Sequence, residues 1–116
     1  MNVREIYESL DYDFGDVTSR LTDDEAFIAR ILRKFSEDEN ISKLEKALGS
    51  EDYNEAYEAA HAIKGLSSNM GFLRNYELAL KLSEKLKASE HDGLDELFEE
   101  LKGENDRVLD AISKLD

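Results

Sequence analysis

Apolar residues recur along this chain at spacings of three and four, and no proline interrupts them. That pairing constrains the fold more than any other feature. A strand would need strict alternation, and proline would break long helices in their interiors. Helical segments and no strand are therefore expected. A short one spans about Asn2 to Leu10, after which DYDFGDVTSRL interrupts the period, with Gly15 as a turn. Thr22-x-x-Glu25 reads as a capping box that opens a helix with the stripe Phe27, Ile28, Ile31, Leu32 and Phe35. A shorter helix turns Ile41, Leu44, Ala47 and Leu48 inward and stops at Gly49. Asp52 and Glu55 open the next, which ends near Gly71. Another runs from about Asn75 to Ser89 on Leu78, Leu82 and Leu86. The last carries Leu94, Leu97, Phe98, Leu101, Val108, Ile112 and Leu115, with Gly103 as its kink point.

Long amphipathic helices joined by short loops imply an all-α fold, an antiparallel four-helix bundle. The four longest helices would form it. Residues 1–21, with one short helix, would be an N-terminal extension packed on its outside, and residues 1–116 a single domain. Phe27, Phe35, Phe72 and Phe98 are expected in the core. One bundle uses most of the apolar stripes, which predicts a monomer.

Charge and cysteine content narrow the partners. The formal net charge is −13, and a surface that acidic repels nucleic acid and anionic lipid. Cysteine is absent, which removes disulfides, thiol nucleophiles and thiolate metal sites together and fits a reducing cytoplasm. The opening Met1-Asn2-Val3-Arg4-Glu5 shows no apolar run behind a basic cluster, so no signal peptide is expected. No stretch approaches the ~18 apolar residues of a membrane span.

One helix departs from this pattern. EAYEAAHAIKGLSSNMGF, residues 55–72, holds one of the two histidines, and a lysine and a glycine follow it at three and four residues. Glycine inside a helix costs roughly 1 kcal/mol against alanine. With ~100° per residue, Asn54, Tyr57, Lys64, Gly65 and Ser68 lie within about 60° of His61. Ala56, Ala59, Ile63, Leu66 and Met70 gather on the opposite, core side. His61 thus centres the solvent face. Glycine on that face removes bulk and lets another molecule approach, and Lys64 supplies positive charge. Imidazole is nucleophilic when neutral, with an ordinary pKa of ~6.5. Together these groups suit an incoming phosphoryl group. Tyr57, on the same face, joins the docking surface.

HAIKGLSSNMG resembles the motif of the histidine-containing phosphotransfer (HPt) domain family, roughly His-x-apolar-Lys-Gly-small-small-x-polar-apolar-Gly. His61, Ile63, Lys64, Gly65, Ser67, Asn69, Met70 and Gly71 meet it, and Leu66 departs from it by its size. The resemblance extends to the helix order over nearly the whole chain. It implies a four-helix bundle with an exposed phosphoacceptor histidine and no catalytic machinery of its own. His61 would accept a phosphoryl group through Nε2 from an aspartyl phosphate on a response-regulator receiver domain and pass it to another receiver. Lys64 would stabilise phosphoryl charge, Gly65 would admit the receiver, and Ser68 would flank the imidazole. No cofactor is implied on this chain; Mg²⁺ belongs to the receiver. The resemblance also admits a hybrid sensor kinase, as a partner or as the larger protein of which such a domain is one piece.

Three other readings compete. A non-catalytic helical interaction module would use the same face, but His61 together with Lys64 argues against it. An autophosphorylating kinase would need an ATP-binding glycine-rich region, which the sequence lacks. Glu58 and His61 form a Glu-x-x-His pair of the kind found in carboxylate-bridged metal bundles. Such sites need two inward-facing pairs, whereas His61 faces outward and His91 has Ala88 three residues before it. No metal site is expected, and His91 reads as an exposed loop residue.

Overall fold

Alanines at Ala56, Ala59 and Ala60 give one helix a thin inner face, and the bundle is assembled around that helix. The computed structural model describes all 116 residues. Seven helices follow one another, with no strand: α1 (Val3–Ser9), α2 (Phe14–Arg20), α3 (Glu25–Phe35), α4 (Asn40–Gly49), α5 (Tyr53–Met70), α6 (Leu73–Lys87) and α7 (Leu94–Ile112). The thin-faced helix is α5, which packs along both α4 and α6; α6 packs along α7, and α7 meets α4 to close the ring. Short loops make these four neighbours antiparallel. No helix is long and apolar enough to cross a membrane.

The all-helical bundle agrees with the sequence reading, but its membership differs. The bundle takes α4, of 10 residues, and leaves out α3, of 11. The reason lies in two separate apolar clusters. Leu44, Ala56, Ala60, Ile63, Leu82, Phe98 and Leu101 belong to the one inside the four-helix ring. The other fills one end of the molecule. There Val3, Ile6, Tyr7, Leu10, Phe14 and Val17 meet Ile28, Leu32 and Phe35 of α3 and the bundle residues Met70, Phe72, Val108, Ala111 and Ile112. The N-terminal segment is thus two helices that build half of a core. The segment packs on the bundle as expected, but it holds two helices where one was expected, and it packs deeply enough that Ile6, Tyr7 and Val17 are wholly buried.

Phe72, in the α5–α6 turn, is the hub of that end. Tyr7 stacks on it at 5.6 Å and Phe35 meets it edge-on at 5.1 Å between ring centroids. Such pairs add about 0.5–1.5 kcal/mol beyond their buried area. Phe27 is not in the core: it is 36% exposed, with Arg30 over its ring. The apolar stripe of α3 is wider than its neighbours can cover.

Helix ends explain the remaining differences. Asp24, not Thr22, caps α3, accepting from the Ala26 and Phe27 amides at 3.1 and 3.3 Å. Aspartate caps at least as well as threonine and adds negative charge at the positive end of the helix. Asp52 caps α5 as expected, accepting from the Glu55 amide at 3.2 Å. Gly15 lies in the first turn of α2, capped by Asp13 at 2.9 Å, rather than in a turn between elements. Helix α4 includes Gly49 and stops one residue later, so the left-handed residue beyond it is Glu51. Helix α7 runs unbroken through Gly103.

A buried carboxylate ties the N-terminal segment to the bundle. Tyr12 Oη donates to Glu104 Oε2 at 2.6 Å, and Arg107 donates to the two Glu104 oxygens at 3.0 and 2.7 Å. Arg107 also reaches the Leu10 carbonyl at 2.9 Å. Burial works against ionisation of Glu104, but hydrogen bonds from Arg107 and Tyr12 and the charges of Arg107 and Arg74 outweigh it and hold the carboxyl below its ordinary value. Burial, then Glu104 itself, holds the Tyr12 phenol proton well above its ordinary value. Glu104→Gln is expected to lower unfolding free energy by about 1–3 kcal/mol at neutral pH. A folded-state pKa below the unfolded one contributes stability above the unfolded carboxyl value of about 4.3. That contribution is lost as pH falls through the lower folded value. Urea melts at pH 7 and pH 3 should therefore show the gap between wild type and variant narrowing in acid.

Candidate functional site

The site is the outer face of α5, an 18-residue helix. Its core side is held by Ala56, Ala59, Ala60, Ile63, Ser67 and Met70, all buried. Its far end is closed by Gly71, which takes the left-handed conformation with φ 72° and ψ 21°. The Phe72 amide then donates back to the Ser67 carbonyl at 3.0 Å. Glycine is needed here because a Cβ in this backbone region is strained.

The N-terminal helices complete that end. Tyr7 Oη donates to the Met70 carbonyl at 2.6 Å, and Arg20 Nη1 donates to the Ser68 carbonyl at 3.0 Å. Both carbonyls belong to the last turn of α5, where the helix supplies no amide of its own; that of Ser68 accepts also from the capping Gly71 amide at 3.2 Å. The helix that carries the site is thereby fixed at its C-terminal end by residues about 50 to 60 positions away in sequence.

His61 is exposed, and Tyr57, one turn earlier, is half-buried beneath it. Their rings are stacked, with centroids 5.8 Å apart and planes 18° apart. Lys64 is half-buried and enters none of the ion pairs of the chain. Gly65 is exposed, and a Cβ built there would meet no atom within 4 Å. Its lack of a side chain is therefore no packing requirement of this chain. Leu66, which departs from the motif, is half-buried against the N-terminal cluster.

Ser68 is placed differently from expectation. Its hydroxyl accepts from Arg20 Nη1 at 3.2 Å, and seven residues of helix set it about 10 Å along the axis from His61. It does not flank the imidazole. Arg20 itself, which also pairs with Asp16 at 3.3 Å, was not found from the sequence. It lies 48 residues from Ser68, and no periodic pattern links α2 to this end of α5.

An apolar groove of ≈ 390 Å³ opens between α3 and the core side of the end of α5, lined by Leu21, Phe27, Ile31, Phe35, Leu66 and Met70. Leu21 and Phe27 are 37% and 36% exposed there. His91 is exposed, and its ring stacks on Tyr53 with centroids 3.7 Å apart. Nowhere do three or more histidine, aspartate or glutamate side chains converge as a metal site would require.

An exposed imidazole on a rigid helix, with an uncommitted ammonium and a gap one turn away, can act as a nucleophile toward an anionic electrophile carried by a large partner. The sequence model of one protein family, the Hpt domain, matches residues 30–111. No curated protein and no solved structure matches the chain.

Proposed function

The chain belongs to the Hpt domain family, the phosphocarriers of phosphorelays, and on that premise we propose that His61 is its phosphoacceptor. The observation that carries the reading is the placement of His61 at the centre of an exposed face, beside the open backbone of Gly65. In the proposed step the Nε2 lone pair of neutral His61 attacks the phosphorus of an aspartyl phosphate on a receiver domain. The N–P bond forms as the acyl P–O bond breaks, and the aspartate leaves as a carboxylate. The imidazole proton stays on Nδ1, so the product is a phosphoimidazolium. A second receiver takes the phosphoryl group by the reverse step.

Lys64 supports this by offering an unpaired cation to the phosphoryl oxygens one turn from His61. Gly65 supports it by leaving room for a receiver to bring its aspartate to the ring. Such chemistry asks for little covalent work by the carrier, so positioning supplies most of the rate. Mg²⁺ belongs to the receiver in this scheme, and the carrier acts as a cytoplasmic monomer without an ATP site of its own.

The test is chemical. The chain is incubated with a receiver carrying labelled aspartyl phosphate, separated, and its label challenged with acid and with base. Label that survives base and is lost in acid is the expected result, since phosphoramidates behave so. Label that survives acid and leaves in base would place the phosphoryl group on another residue and overturn the assignment.

A further inference from the structure

We infer that Tyr57 is the positioning residue of the site, holding the His61 imidazole in the orientation from which it reacts. This rests on the phosphoacceptor reading of His61. Side chains on a helix lean toward its N-terminus, so His61 leans back over the residue one turn before it. That residue is Tyr57, and the two rings lie nearly parallel at 5.8 Å and 18°. At that separation the stack is offset, and it limits rotation of the imidazole without enclosing it. The nitrogen lone pair that attacks phosphorus lies in the ring plane and points out of the edge. Tyr57 therefore restrains the plane of the ring, while the exposed side chain keeps its edge accessible to a partner.

Tyr57 can do this because it is itself held. It is half-buried and packs against the cluster inside the four-helix ring, whereas His61 is exposed. It also shares the wall of one surface cavity with Tyr53, Leu86 and His91. Tyr53 is fixed there by its stack with His91, at 3.7 Å and 18°. Tyr53 and Tyr57 thus line one cavity between the loop after α6 and the reacting ring. An unstacked surface histidine would sample several rotamers and would present a competent edge for only part of the time. The phenol hydroxyl has no role in this account, so phenylalanine should replace tyrosine without loss.

The experiment compares wild type with Tyr57→Phe, Tyr57→Leu and Tyr57→Ala. Leucine keeps apolar bulk but has no ring, which guards against a variant that fails through lost packing, and far-ultraviolet circular dichroism checks that each is folded. Two quantities are read: the ring-current displacement of the His61 ring protons by NMR without any partner, and the initial rate of label uptake from a phosphorylated receiver. Tyr57→Phe should retain both. The leucine and alanine variants should lose the ring-current displacement and transfer about ten-fold more slowly. Unchanged His61 ring shifts in folded Tyr57→Leu would show that no stack exists and overturn the inference. So would lost shifts with an unchanged transfer rate. If wild type itself takes up no label although its His61 protons show the displacement, the stack stands as geometry but the phosphoacceptor reading falls, and the positioning role falls with it.

Discussion

His61→Gln is expected to take up no phosphoryl label from a phosphorylated receiver, with its rate lowered by at least about 10³-fold and its unfolding midpoint unchanged. The two halves follow from different facts. His61 is exposed on the outer face of α5, so its replacement removes no core packing and only its surface stack on Tyr57, and substitutions at such positions usually stay within about 0.5 kcal/mol. Glutamine has similar reach and polarity, but its amide nitrogen has no available lone pair. Loss of uptake with retained stability therefore isolates the nucleophile. Uptake at the wild-type rate would show that another side chain accepts the group and would remove His61 from the site.

The second large effect is at Gly65. Arginine there is expected to slow transfer by about 100-fold or more, while thermal stability holds or rises. A Cβ at this position meets no atom of the chain within 4 Å, so the folded state has room for the new side chain. Glycine is also the poorer helix former, by roughly 0.8–1 kcal/mol against the best residues. The present sequence thus gives up helix stability at a position where its own packing asks for nothing. A docked receiver is what would need the space. A thermal melt and a transfer assay on the same preparation check both claims. Wild-type transfer by a folded Gly65→Arg would end the close-approach argument.

How much of this could be read from the sequence depended on the range of the interactions involved. The outward direction of His61, Lys64 and Gly65 needs only a helix of known turn, and all three lie on the outer side of α5. The end of that helix was legible at Gly71, because a left-handed stop is a local matter. The membership of the bundle was not. Helix α3 has the stronger stripe, yet α4 completes the ring, and the choice depends on what the N-terminal residues do with Ile28, Leu32 and Phe35. Nothing local to α3 announces that. The capping box at Thr22 failed because the helix begins two residues later, where Asp24 accepts from the Ala26 and Phe27 amides. Ser68 was placed on the correct side of the helix by its angle, but its partner Arg20 came from a helix that the sequence pattern did not resolve. The stack of Tyr57 with His61 falls between these cases. Its spacing of four was visible, and the parallel ring planes were not.

The region that matches the family begins at residue 30, but the molecule does not come apart there. Val3, Ile6, Tyr7, Phe14 and Val17 close over Met70, Phe72 and Val108, and Tyr7 and Arg20 hold the last turn of α5. The border of the family resemblance and the border of the cooperative folding unit are therefore different. A protease cut near residue 21 would leave the motif intact in sequence while baring Phe72 and loosening the helix on which His61 stands.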